Sequence, residues 1–320
     1  MTIVKSLKNN YFLLLLIIAI ISPFFATSGY MVHLMVLVLL NAILASSLNL
    51  TMGYGGLANF GQSAFYGLGA YIAAISSTQL GFSFLGSLVL TLVFCAFSGF
   101  FIGAISLRLR GPYYCIITIA FTEIFRILAN NLVSLTQGPA GIPAIPVASI
   151  FNFKFATRLQ FYYIVLIFLI LSLWLVSRLE NSVIGRAWVA QRENEPLALA
   201  LGVNVTKYCL FAYVFGAMIA GIAGWLYAYY VRYVSPEIFL FAVSMTMIAM
   251  LVIGGRGTLL GPVLGAVILT IIPEYLRVVA ELRLIIFGLI LLLTIIFIPR
   301  GLIYLPHKII EFKKEHTYES

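Results

Sequence analysis

The sequence predicts an all-α membrane protein: a polytopic helical bundle of about ten membrane runs, in one permeating domain over 1–320. Three observations lead there. Of 320 residues, 62% are hydrophobic and only 9% charged, with a mean hydropathy of +1.09. Apolar runs of about 17–25 residues recur along the chain, the length that carries a helix across a hydrocarbon core of roughly 30 Å. The connections between them are short and polar or glycine-rich, leaving no room for a sizeable soluble domain. A net charge of +9 would suggest nucleic acid in a soluble chain. Here it reflects Lys and Arg holding loops at the cytoplasmic surface, and no nucleic-acid partner is expected.

The segment Met1–Asn10 carries Lys5 and Lys8 and leads into the first run, Tyr11–Ala26. Ala26, Thr27 and Ser28 make a passable signal-peptidase site, but the apolar core is long for a signal peptide and the next run begins almost at once. An uncleaved first span is therefore expected. Run two, Val32–Leu50, enters a glycine-rich segment from Gly53 to Tyr71 that merges into run three, ending near Ser77. Run four is Phe84–Ser106. A basic turn with Arg108, Arg110, Gly111 and Pro112 precedes run five, Tyr113–Leu132. A Gly/Pro-punctuated loop, Ser134–Gln160, leads to run six, Phe161–Val176, and then to a polar loop over 179–207. Runs seven and eight are Cys209–Tyr230 and Phe239–Ile253. The turn Gly254-Gly255-Arg256-Gly257 opens run nine, Leu259–Leu276; run ten is Leu284–Ile298, and 301–320 form a charged tail. The glycines within 51–79 and 241–276 leave two readings open there, full crossings or broken, re-entrant helices whose exposed backbone faces protein or water.

Ten crossings with a cytoplasmic N-terminus place twelve cations inside, from Lys5 and Lys8 through Arg108, Arg110, Arg178, Arg186, Arg192 and Lys207 to Arg300, Lys308, Lys313 and Lys314. Lys154, Arg158, Arg232, Arg277 and Arg283 fall outside. That bias sets both termini and the 179–207 loop in the cytoplasm.

This loop carries helix punctuation of its own. Asn194 or Glu195 suits a cap, Pro196 a first turn, and Gly202 a stop. The apolar turn between them, Leu197–Leu201, is too short to stand alone, so something outside the membrane is expected to pack on it. The docking candidates are Arg192, Glu193, Asn194, Glu195, Pro196, Ala198, Leu199, Ala200 and Gly202; the plain alternative is a solvated, capped surface loop. In the glycine-rich segment, small residues serve close helix approach, while Asn59, Gln62 and Ser63 are candidates to line a path. Run five adds a polar stripe, Thr122, Glu123, Arg126 and Asn130. Glu123 and Arg126 lie three residues apart on one helical face, at a depth where an unpaired charge costs about 2.5–3.5 kcal/mol.

No catalytic, metal or cofactor site is read. The chain contains no aspartate, its histidines (His33, His307, His316) are scattered, and Cys95, Cys115 and Cys209 lack metal-type spacing. A phosphate-binding Gly-x-x-x-x-Gly-Lys loop is also absent, so nucleotide hydrolysis must reside on another chain.

The ordered set of motifs resembles the permease subunits of branched-chain amino acid ABC importers, over nearly the whole chain. It comprises Gly53-Tyr54-Gly55-Gly56-Leu57, Phe60-Gly61-Gln62-Ser63-Ala64-Phe65, Leu109-Arg110-Gly111-Pro112-Tyr113-Tyr114, Gly138-Pro139-Ala140-Gly141-Ile142 and Ile184-Gly185-Arg186-Ala187. It continues with Ala198–Val205, Ser235-Pro236-Glu237, Val252–Thr258 and Pro299-Arg300-Gly301-Leu302. The chain is more similar to the longer of the two permease types in such systems. The resemblance implies a bacterial inner-membrane protein with a second homologous permease, two cytoplasmic ABC ATPase subunits and an external solute-binding protein. It also implies that the 179–207 loop sits in an ATPase cleft. Importer permeases often carry Glu-Ala-Ala, three residues, then Gly; here Gly202 follows Glu195 by seven residues rather than six, and Pro196 occupies an alanine position. Within the same class, transport of urea or short amides is the second reading. A self-sufficient secondary transporter or channel is the rival from another class, but only Glu123 offers it a mid-span carboxylate.

Overall fold

The computed structural model describes residues 17–26, 28–150, 153–275, 301–304 and the single positions 288, 292 and 296. Most of run one, run ten and the charged tail lie outside these residues. Those described are mainly helical with two short strands, as the composition leads one to expect.

Helix α1 (Gly29–Leu48) starts where the Ser28 hydroxyl accepts from the Met31 amide. It does not end at Leu50 but widens into a π-helical turn, Asn49–Tyr54. Residues 55–61 are then non-helical, and α2 (Gln62–Thr78) resumes. Helix α3 (Phe84–Ser106) is capped by Ser83, and α4 (Pro112–Asn131) opens on proline after Gly111 at φ +58°. The loop read as Ser134–Gln160 holds more structure than its composition suggests. It contains a helical turn, Val133–Thr136, and a two-residue hairpin, β1 (Ser149–Ile150) with β2 (Phe153–Lys154), in register Ser149↔Lys154.

A capping box between Thr157 and Gln160 starts α5 (Arg158–Glu180) three residues before the apolar run. Hydropathy misses this turn because helices extend past the hydrocarbon into the polar interface. Two short helices follow, α6 (Val183–Glu193) and α7 (Glu195–Ala200), then α8 (Val205–Val231), the longest among the described residues. The last pair, α9 (Phe241–Gly254) and α10 (Gly261–Tyr275), flank a non-helical turn over 255–260. Among the described residues five helices are long and apolar enough to cross a membrane: Gly29–Tyr54, Phe84–Ser106, Pro112–Asn131, Arg158–Glu180 and Val205–Val231. At 1.5 Å per residue, α9 extends only about 21 Å, short of the roughly 30 Å core.

The central pillar is α8, packed on α2, α3 and α1; α1 also packs on α5 and α10, and α9 on α10. Inside a bilayer the hydrophobic effect does not drive helices together, so close backbone approach and hydrogen bonding must do so. Gly69 and Gly224 make that approach between α2 and α8. A Cβ on Gly224 would lie 1.9 Å from the Tyr66 carbonyl oxygen, and one on Gly69 2.2 Å from that of Gly221. At the neighbouring α3–α8 seam, Trp225 Nε1 donates to Ser87 Oγ at 2.8 Å and that hydroxyl meets Tyr229 at 2.9 Å.

Candidate functional site

The polar loop over 179–207 folds into an elbow of two helices. In α6 the buried face is Gly185, Ala187, Trp188 and Gln191, with Trp188 Nε1 donating to the Tyr208 carbonyl at 2.7 Å. Asn194 is the cap of α7, accepting from the Leu197 amide at 3.0 Å, and Pro196 stands in the first turn. The C-terminal stop is a Schellman motif. The Gly202 amide donates to Leu199 and the Val203 amide to Ala198, both at 3.0 Å, with Gly202 at φ +81°.

Position by position, the docking candidates divide. Ala198 is buried and packs with Val205 and Cys209 against α8. Ala198 therefore faces its own chain: six residues span too little helix for the sequence pattern to fix a face, and the Schellman stop turns Ala198 inward. Leu197, Leu199 and Leu201 are instead exposed at 56%, 47% and 74%. Ala200, Glu193 and Pro196 are exposed too. Glu195 pairs with Arg110 of the α3–α4 turn at 2.5 Å. Arg192, itself exposed, donates from Nη1 to the Gly53 carbonyl at 2.8 Å, while the buried Gln191 donates to that of Gly55 at 3.2 Å and accepts from the Cys209 thiol at 2.7 Å. A cavity of about 320 Å³ lies between this elbow and the helix break, lined by Gly55, Gly56, Arg110, Tyr114, Gln191 and Arg192 among others.

Asn59, Gln62 and Ser63 are all buried and bond mainly to protein. Asn59 Nδ2 donates to Gln62 Oε1 at 2.9 Å; Gln62 Nε2 donates to Ser47 Oγ at 2.9 Å and to the Gly216 carbonyl at 3.0 Å. Asn59 Oδ1 accepts from the Gly61 amide, and the Ser244 hydroxyl donates to Ser63 Oγ at 2.8 Å. This knot ties α1, α2, α8 and α9 together. The sequence reading missed Ser47 and Ser244 as its partners, although Ser47, a polar residue closing an apolar run just before a glycine-rich stretch, was a usable signal.

On α4, Thr122 is buried and its neighbour Thr118 accepts from the Phe60 amide at 3.2 Å, seating the helix on the break. Glu123 and Arg126 face the other way. Arg126 donates to Glu123 from Nε at 2.9 and 3.0 Å and from Nη2 at 2.5 Å, with side-chain exposures of 49% for Glu123 and 35% for Arg126. The ion pair is thus apart from the buried knot, on an outward face that also carries Tyr113, Ile116, Ile124 and Ile127.

Residues 30–295 match the family model described as the permease component of branched-chain amino acid transport systems. The high-affinity branched-chain amino acid transport system permease protein LivM of Salmonella typhimurium is 35% identical, over 93% of this chain and 76% of that protein. LivM of Escherichia coli is 34% identical over the same shares, and LivH of that organism is 26% identical over 83% of this chain and 91% of its own length. No solved structure matches.

Proposed function

Because the chain belongs to the family of permease components of branched-chain amino acid transport systems, we propose that it is one of two homologous permeases forming an inward path for branched-chain amino acids. ATP is hydrolysed on two cytoplasmic partner subunits, and an external binding protein delivers the solute. The protein sits in the bacterial inner membrane with both termini and the α6–α7 elbow in the cytoplasm, the arrangement favoured by the distribution of Lys and Arg.

The observation that carries the energy-coupling role is the outer face of α7. Two leucines stand exposed on a helix of six residues and a third, Leu201, just past its end, the helix being held to its own chain through the buried Ala198 and the Glu195–Arg110 pair. Apolar side chains so arranged outside the membrane core need a covering partner, and an ATPase cleft supplies one. The test is Leu199→Glu with Leu201→Glu in the complete transporter. ATPase subunits should be lost on purification, and ATP-dependent leucine uptake into vesicles should fall at least about tenfold, as expected when anchors worth about 2 kcal/mol are removed. Wild-type recovery of the ATPase would overturn the docking role. The same uptake assay, run with urea, separates the second substrate reading.

The ion pair Glu123–Arg126 supports the placement of the path along the outer face of α4. A carboxylate and a guanidinium offered midway along a membrane helix match the two charges of a zwitterionic amino acid. The buried knot of Asn59, Gln62 and Ser63, with its bonds to protein, supports a pinning role at the edge of that path; Thr122 shares it.

A further inference from the structure

The two stretches that interrupt the apolar runs, 55–61 and 255–260, meet the cytoplasmic elbow at one side chain. Arg192 leaves the last turn of α6 and donates to the carbonyl of Gly53 in the π-helical turn at 2.8 Å. Two glycines from separate segments form its channel. A Cβ on Gly56 would stand 2.9 Å from Arg192 Cγ, and one on Gly257 2.5 Å from Arg192 Nη1. Both glycines have left-handed φ, +69° and +71°. Asn49 closes the triangle, donating from Nδ2 to the Thr258 carbonyl at 2.8 Å and accepting on Oδ1 from the Gly257 amide at 2.9 Å.

The physical setting makes this contact more than filler. The last carbonyls of a helix have no donor in their own segment, and they form the negative end of its dipole. A guanidinium placed there is a charge-assisted cap. A cap carried by a neighbouring residue would fix the turn within itself. This one is carried by α6, so the position of the break depends on the position of the elbow. Through Asn49 the dependence extends to the turn between α9 and α10.

We propose that Arg192 is a positioning residue, a strut through which displacement of the α6–α7 elbow moves the end of α1 and the 255–260 turn together. The inference rests on the reading of α7 as the ATPase-docking element. Residues 55–58, already non-helical and ahead of the knot, take up the movement, while the bonds of Asn59 and Gln62 hold the start of α2 in place.

The experiment uses the whole transporter in liposomes with its ATPase subunits and loaded binding protein, and reads ATP hydrolysed per leucine imported. In Arg192→Met that ratio should rise about tenfold, the scale of losing a hydrogen bond to a charged group, with the ATPase still bound. Arg192→Lys, which keeps a cation able to reach one carbonyl, should recover part of the coupling. Gly257→Ala, which leaves the guanidinium but crowds it, should raise the ratio in the same direction. An unchanged ratio in Arg192→Met would overturn the proposal. So would loss of the ATPase from that variant, because Arg192 would then be a docking residue. The docking reading fails separately, if Leu199→Glu with Leu201→Glu leaves the ATPase in place.

Discussion

Gly202 shows how much a single backbone angle decides. Its φ of +81° completes the Schellman stop, and a Cβ added there would meet nothing within 4 Å. The cost of any replacement is therefore conformational rather than steric. Valine, branched at Cβ, should lose about 1–3 kcal/mol, and asparagine, which tolerates the left-handed region, less. Thermal unfolding of the purified permease should rank wild type, Gly202→Asn and Gly202→Val in that order; equal midpoints for the two variants would place the stop elsewhere. This position was legible because capping chemistry is local: Asn194, Pro196 and Gly202 read correctly from spacing alone. Asn59 and Gln62 were not, since the groups that saturate Gln62 include the carbonyl of Gly216, 154 residues away. Polarity within an apolar stretch is visible in a sequence, but whether it faces a solute or a distant carbonyl is not.

At the scale of helices, small residues do the work that bulk cannot. The α2–α8 crossing brings the Gly224 backbone so near Tyr66 that Gly224→Val has no room without parting the helices. That change should abolish accumulation of folded protein. Gly86→Ala near the start of α3, whose nearest atoms would stand at 3.2 Å, should leave accumulation close to wild type. Quantifying both in membranes by immunoblot and detergent extraction checks the contrast; equal yields would mean that the crossing is looser than this geometry. The apolar runs located nearly every described helix but clipped their ends. The π-helical turn Asn49–Tyr54 and the first turn of α5 lie where hydropathy falls while backbone hydrogen bonding continues. The glycines announced a break near Gly53 without fixing where α1 stops, because a widened turn and a straight one share the same composition.

For the molecule as a whole, the outward face of α4 is the surface that most needs company. Glu123 lies eleven residues past Pro112, about 17 Å along the helix, and an ion pair offered to lipid at that depth is disfavoured. Either the second permease covers the pair or the solute meets it. The double change Glu123→Arg with Arg126→Glu distinguishes the two. A structural pair should regain uptake relative to either single change, whereas a pair that reads a zwitterion should assemble in swapped form and stay inactive. Uptake and co-purification of the second permease are the measurements. The α2–α8 crossing has one further consequence, for synthesis. Gly224 follows Tyr66 by 158 residues, so at roughly 5–20 residues per second the ribosome needs about 8–32 s to deliver the partner of α2. Throughout that interval α2 waits in the bilayer with the bonds from Gln62 to Gly216 and between Ser63 and Ser244 unmade, and its glycine face open. A chain like this one depends on the insertion machinery to shelter an early helix until a late one arrives, and slowing elongation between Tyr66 and Gly224 lengthens that exposure.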